Sequence, residues 1–391
     1  MKQFLLRTVK ITALILPVIL FLMLIPYNNR IETSRIRNFY KEDKDTLDVV
    51  MLGASEVFAG FAPGLAYREY GFTSYDYAIS QNYPELLKPQ LEEVLRTQSP
   101  QVIVVDLNMM MFVGRNSSKD AVFRIYIEGI PLSFNKIKFT REHAYREQPL
   151  SYYIPFAMYH GSMTPRDFWV LWTNEKAYWE NDGALLKGAA SCVDDYTLGE
   201  MMDISDDHSR VDMPEEYEQE LRKFLEYCQG VKDTKILFVS YPHRITTEMA
   251  YNRLQQTNAA QDIVRSYGFD YINMEYLTEE IGLDFQKDFY NDEHLNVHGQ
   301  RKFTRYLAKL LVEDYGVTPS PQSEKNRQRW DQTVKYTQLL YAYHGKLSQK
   351  DPKQDLMLCE EGWLLSELDW MEKKLQEDGL PLTFEPIYAT Q

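Results

Sequence analysis

"TLDVVMLGASEVFAGFAP", residues 46–63, decides the fold: an apolar run stops at Gly53-Ala54-Ser55-Glu56 and a new amphipathic pattern then begins. A strand ending in a tight small-residue turn that feeds a helix lifts a hydroxyl out of the fold, close to helix-terminal N–H groups. Two readings of Ser55 are open at this point. It is either a nucleophile or a simple cap of the helix that follows.

Working outward, the same grammar repeats. "LDVVML" (47–52), "FTSYDYAIS" (72–80), "QVIVVDLN" (101–108), "KILFVSYP" (235–242) and "FDYINM" (269–274) read as five short buried strands. Amphipathic stretches separate them, among them 85–97, 214–229 with Tyr217, Leu221, Phe224, Leu225 and Cys228 on one face, and 303–311 with Phe303, Tyr306, Leu307, Leu310 and Leu311. Strands alternating with helices predict an α/β fold, a three-layer α/β/α sandwich around a central parallel sheet. Residues 112–213 break the rhythm and are rich in aromatics, which predicts a helical insertion or lid. After "GVTPSPQSEKN" the tail 316–391 carries two further helical patterns, leaving open whether it packs back or stands apart.

The chain of 391 residues is 44% hydrophobic, enough for a sizeable core, and its 57 acidic against 43 basic residues give a net charge of −14. That balance repels a phosphate backbone and excludes nucleic acid as an expected partner. Cys192, Cys228 and Cys359 are far apart without CxxC spacing, which argues against a structural zinc site. From Ile11 to Asn29 run 19 residues without a charge, flanked by Lys2, Arg7 and Lys10 and then by Arg30. No small-residue cleavage site follows. Residues 1–30 are therefore expected to be an uncleaved single-pass membrane anchor, with residues 31–391 outside the cytoplasm.

In an open parallel sheet the loops at the strand C-termini converge into a ligand crevice. Ser55, then Ser80 to Asn82, then Asn108 and His243 follow successive strands, and the loop before the last helix, "DFYNDEHLNVHGQRKFTRYL" (288–307), adds Asp292 and His294. A serine nucleophile needs a base, and the base needs a carboxylate to hold its tautomer, so Ser55, His294 and Asp292 are the expected triad. His294 and His298 are four apart beside Asp292 and Glu293, but the spacing is not H-E-x-x-H and no metal is expected. Tyr152, Tyr153, Trp169, Trp172 and Trp179 are candidate sugar-stacking rings or lid core.

The blocks "MLGASEVFAG", "SYDYAISQN", "VSYPHRITTE" and "DFYNDEHLNVHG" resemble the SGNH/GDSL hydrolase superfamily over roughly residues 46–313, especially its membrane-anchored branch. That branch includes the D-alanyl transfer protein of teichoic acid modification and relatives of polysaccharide O-acetyltransferases. The resemblance implies the flavodoxin-like SGNH fold, a nucleophile at Ser55, a base at His294 and no cofactor. It also implies an oxyanion hole from the Ser55 N–H, a backbone N–H near Ser80 or Gln81, and the Asn108 side chain. Three features depart from the family: its orienting aspartate falls at Asn291, making Asn291 the alternative acid position, the second-block glycine is absent from "AISQN", and the third block is reduced to an asparagine. The implied activity is a membrane-anchored serine esterase or acyltransferase acting on an acylated envelope glycan or glycolipid. The alternative is a catalytically inactive scaffold or binding subunit that partners a multi-pass membrane acyltransferase.

Overall fold

The computed structural model describes residues 2–24, 31–108, 118–143, 149–159, 161, 164–166, 169, 184–192, 199–204, 207–350, 357–358 and 362–384. Five strands form one parallel sheet: β1 (Val49–Gly53), β2 (Ser74–Ala78), β3 (Val102–Asp106), β5 (Lys235–Ser240) and β6 (Asp270–Asn273), in the order β2-β1-β3-β5-β6. A two-residue pair, β4 (Ser191–Cys192) with β7 (Met357–Leu358), lies outside it. All five expected strands are present, each a residue or more shorter than its apolar run. The run ends where the chain turns, because the turn residues are still buried.

The chain alternates faces along each strand. Val50 and Leu52 join one core cluster with Leu86, Leu87, Tyr126 and Leu221, while Val49 and Met51 join another with Val57, Phe303 and Leu307. Helices Pro84–Thr97, Lys119–Gly129 and Glu215–Cys228 thus cover one face, and Ser55–Gly60 and Val297–Glu313 cover the other. A sheet buried on both faces explains why its strands read as continuous Val/Ile/Leu runs.

This strand order is the doubly wound arrangement in which the chain reverses direction across the sheet between β1 and β3. The crevice at that switch point, beyond the strand C-termini, is bordered by the turn carrying Ser55 and by the residues after β3 and β5.

The tail packs back. Trp330, fully buried on the helix Glu324–Lys350, stacks on Tyr67 with ring centroids 4.9 Å apart, and the Tyr341 hydroxyl donates to Gln300 Oε1 at 2.9 Å. Helix Gly362–Asp378 adds buried Met371 and Leu375 to the cluster that holds Tyr341.

The insertion is not simply a lid. Its helix Lys119–Gly129 puts Phe123, Tyr126 and Ile127 into the main core, and Tyr152 is buried under the Arg124 guanidinium, 3.9 Å from the ring centre. Tyr152 therefore has a packing role, Trp169 is exposed, and Trp172 and Trp179 lie outside the described residues. Near its end, Met202 N–H donates to the Ile245 carbonyl at 2.8 Å, tying this part of the insertion to the chain after β5.

At the N-terminus, helix Lys2–Leu24 exposes Phe4, Ile11, Leu14 and Leu20. Among the described residues no helix is long and apolar enough to cross a membrane.

Candidate active site

The corner after β1 is built tightly. A Cβ on Gly53 would sit 2.5 Å from Val57 Cγ2 and 2.8 Å from Asp106 Cβ, so only glycine lets the chain leave the strand here. Asn82, fully buried in the next loop, donates through Nδ2 to the Gly53 carbonyl at 2.9 Å. Asp106, at the end of β3, accepts from the backbone N–H groups of Ala54 and Asn108.

The helix Ser55–Gly60 has Ala54, not Ser55, at its N-cap, and no side chain caps it. The simple capping role is thereby removed. The Ser55 hydroxyl instead donates to Glu56 Oε2 at 3.4 Å, and the Ser55 N–H lies in the first turn, where a helix has no carbonyl of its own to offer.

His294 is placed by a compact loop. Phe289 and Leu295 form an antiparallel bridge, Tyr290 N–H donates to the His294 carbonyl at 2.9 Å, and Asn296 N–H donates to the Asp288 carbonyl at 3.0 Å. A Cβ on Gly299 would overlap the Asp288 carbonyl, so the glycine after His298 is what lets the following helix start against this loop. Within the loop, Asn291 Oδ1 accepts from Glu293 N–H at 2.8 Å, from His294 N–H at 2.9 Å and from His294 Nδ1 at 3.0 Å. Two backbone donors fix which end of the amide faces the ring. Nδ1 must then carry the proton, which leaves Nε2 as the basic atom. His294 Nε2 is buried and has no hydrogen-bond partner.

The expected orienting acid is not at His294. Asp292 is turned the other way, its Oδ1 accepting from Arg244 at 2.6 Å and its Oδ2 from Thr246 at 2.7 Å. Asn291 thus faces the imidazole while the Asp292 carboxylate faces Arg244 and Thr246. Asp288 is likewise committed, to Lys302 Nζ at 2.6 Å.

The oxyanion candidates fare unevenly. Asn108 stands at the end of β3 as expected, but its Nδ2 donates to the Tyr241 carbonyl at 3.0 Å and rests against the His243 ring. Ser80 is half-buried in the turn after β2, and Gln81 beside it takes φ +52°, the left-handed region in which glycine is at ease. Such backbone costs of order 1–3 kcal/mol and persists where its surroundings dictate it.

Two residues that the sequence reading did not single out complete the site. Glu56 and Glu275, both buried, flank His243: Nδ1 lies 2.6 Å from Glu275 Oε1, Nε2 lies 3.6 Å from Glu56 Oε1, and the His243 N–H donates to Glu275 Oε2 at 2.7 Å. Burial alone would depress His243, but the two carboxylates outweigh it and hold the imidazole well above its ordinary value. Glu56, raised by burial, is brought below its ordinary value by His243 and, less strongly, His294. Burial and the Glu56 charge push Asp106 well up. His294 is lowered, because burial outweighs the pull of Glu56 and Glu293 and His243 adds to the depression. The position of Glu275 just after β6 was its only signal in the sequence.

A cleft of about 370 Å³ opens beside these groups, lined by Glu56, His243, Arg244, Glu275, Asn291 and Asp292 among others. His298 lies in the first turn of the helix Val297–Glu313, and among the described residues no three His, Cys, Asp or Glu side chains are grouped to hold a metal ion. His294 Nε2, with no partner of its own, can take a proton from a hydroxyl, and the small-residue turn after β1 presents the Ser55 hydroxyl. No hydrogen bond joins the two residues directly.

No family model matches the chain, and no curated protein matches it. Among solved structures it is similar to one described as a GDSL-like lipase from Parabacteroides merdae, 12% identical over 71% of this chain and 99% of the other, with a TM-score of 0.33. It is also similar to BT4096, described as a gut microbial diltiazem-metabolizing enzyme, 10% identical over 70% of this chain and 48% of that one, with a TM-score of 0.33. Neither likeness is close enough to carry an argument here.

Proposed function

We propose that this chain is an SGNH/GDSL-type serine esterase or acyltransferase that works on an ester-linked acyl group of a cell-envelope glycan or glycolipid. The observation that carries the reading is His294: its Nδ1 is held by Asn291 and its buried Nε2 has no partner, at the end of the sheet where Ser55 stands. An imidazole oriented at one nitrogen and vacant at the other is the form that a general base requires.

In this reading the Ser55 hydroxyl passes its proton to His294 Nε2 while Oγ attacks the ester carbonyl. The tetrahedral oxyanion is met by first-turn N–H groups of the Ser55 helix. The proton then moves to the leaving alkoxide and the acyl group stays on Ser55. Water or a sugar hydroxyl, deprotonated by the same Nε2, resolves the acyl-enzyme. Exposed apolar side chains on the helix Lys2–Leu24 support membrane association and an envelope substrate.

Labelling of the full chain with a fluorophosphonate, located at Ser55 by mass spectrometry and lost in Ser55→Ala, tests the reading. A wild type that never labels removes it.

One observation favours a non-catalytic scaffold: the Ser55 hydroxyl is turned to Glu56 and no hydrogen bond joins it to His294. Persistent absence of labelling with retained binding of an envelope glycan would favour that scaffold.

A further inference from the structure

Helix Phe134–His143 has one side in the core and the other bare. Phe139 and Thr140 are buried, and the Phe139 ring packs against Phe123 and Tyr126 of the helix Lys119–Gly129, with centroids 5.5 and 5.6 Å away. On the other side Phe134 is 79% exposed, Ile137 is 47% exposed, and Arg141 is exposed as well. Residues spaced i, i+3 and i+7 share one face of a helix. Leu132, just before the helix, is 62% exposed, and Leu150 is 69% exposed on the short turn Pro149–Tyr152 that packs against this helix. A single exposed leucine is ordinary, whereas a run of large apolar side chains gathered on one side marks a surface that something covers.

The patch lies where the apolar N-terminal helix joins the domain. Helix Ile31–Phe39 rests on the end of the helix Lys119–Gly129: a Cβ on Gly129 would stand 2.7 Å from Ile36 and 3.0 Å from the Thr33 carbonyl. From Gly129 the chain reaches Phe134 within at most about 18 Å, and from Ile31 it reaches back to Leu24 within at most about 25 Å. Helix Lys2–Leu24 contains no acidic residue and exposes large apolar side chains from Phe4 to Leu20. A bilayer that holds that helix therefore comes within reach of Phe134 and Ile137. Charge agrees, since helix Phe134–His143 carries Lys136, Lys138 and Arg141 against Glu142 alone, in a chain of net charge −14. A guanidinium beside exposed apolar side chains suits the phosphates of a lipid surface. A second copy of so acidic a chain would be repelled.

We propose that the bare side of the helix Phe134–His143, together with Leu132, is a lipid-bilayer contact. Leu132, Phe134 and Ile137 enter the boundary between headgroups and acyl chains, and Arg141 stays at the phosphates. A tether at the N-terminus alone leaves the domain free to turn, whereas this second contact fixes which side of it meets the membrane. The contact requires the chain to meet a membrane but does not require Ser55 to be a nucleophile.

The test is nitroxide labelling of the full chain in vesicles of phosphatidylethanolamine and phosphatidylglycerol, read by collision with oxygen, which enters lipid, and with a nickel chelate, which stays in water. Cys192 and Cys228 are buried, and Cys359→Ser removes the third thiol. Labels at Phe134→Cys and Ile137→Cys, surface changes that leave the fold intact, should read a depth of about 5–10 Å into the bilayer. A label at Lys309→Cys, exposed on the helix Val297–Glu313 that covers the opposite face of the sheet, should read water. Phe134→Glu combined with Ile137→Glu should return a label at Leu132→Cys to water while the chain stays on the vesicles through its N-terminal helix. Labels at positions 134 and 137 that read water, a Lys309 label as deep as they are, or a chain that does not bind the vesicles overturns the proposal. So do labels shielded from both reagents whose spectra sharpen on dilution with unlabelled chain, the sign of a second copy on this side. Fluorophosphonate labelling of Ser55 is a separate readout, so the failure of one reading leaves the other standing.

Discussion

His243 follows β5 and lies between two buried carboxylates, whereas His294 sits on the 288–296 loop with a neutral amide at Nδ1 and no partner at Nε2. Both rings are only partly exposed, yet one is driven toward the cation and the other away from it. Burial disfavours the charge on each. The difference is the partner: two carboxylates overcome that cost for His243, while Asn291 supplies orientation without charge to His294. The first region is an electrostatic brace and the second a poised base, and perturbing each should read out differently.

The largest effect is expected at the nucleophile. Ser55→Ala should lower ester turnover and probe labelling by at least about 10³-fold, while stability changes by at most about 1 kcal/mol, because the hydroxyl caps nothing. A large loss of stability with retained turnover would place Ser55 in the brace.

Next is the brace itself. Glu275→Gln removes one partner of a buried ion pair and should cost about 3 kcal/mol in denaturant unfolding. His243 has a raised folded value, so its stabilisation is fully present below its unfolded value of about 6.5 and is lost as pH rises through the folded value. The penalty in Glu275→Gln should accordingly be greatest at or below pH 6.5 and should shrink at alkaline pH. A penalty that grows with pH would break the comparison.

The orienting amide comes third. Asn291→Ala should slow turnover by about 10²-fold through loss of the fixed tautomer, with Asn291→Asp retaining or exceeding wild-type rate because it keeps the acceptor and adds charge. Asp292→Asn, although adjacent, should change turnover by less than about threefold, and it should cost about 1 kcal/mol of stability because it weakens the Arg244 and Thr246 contacts. Equal losses at the two positions would overturn the assignment of Asn291.

The smallest effect is a displacement in pH. Since the His294 value is lowered, the neutral base persists to lower pH, and Ser55 labelling at pH 6.5 should keep more than half of its plateau, with its midpoint on the acid side of that pH. A midpoint above 6.5 would mean that burial does not govern this ring.

The sequence alone determined the layering. Short runs such as Val102–Asp106 and Lys235–Ser240, spaced by amphipathic stretches, can bury both faces only as the inner strands of a parallel sheet, so local pattern suffices. It also determined which turn carries a serine and which late loop carries histidines. Tertiary structure decided the rest. Whether Asn291 or Asp292 faces the ring depends on how a nine-residue loop closes through the Asp288 carbonyl and the Phe289–Leu295 bridge, and one residue of rotation exchanges the two side chains. Glu56 looked like an ordinary first-turn acid, and its burial follows from contact with His243 at the end of β5, 187 residues away. The tail's place on the domain depends on Trp330 meeting Tyr67, a pairing that no local periodicity encodes. Periodic burial is a property of neighbours along the chain, whereas the charge state of a side chain is set by groups that only folding brings within a few ångströms.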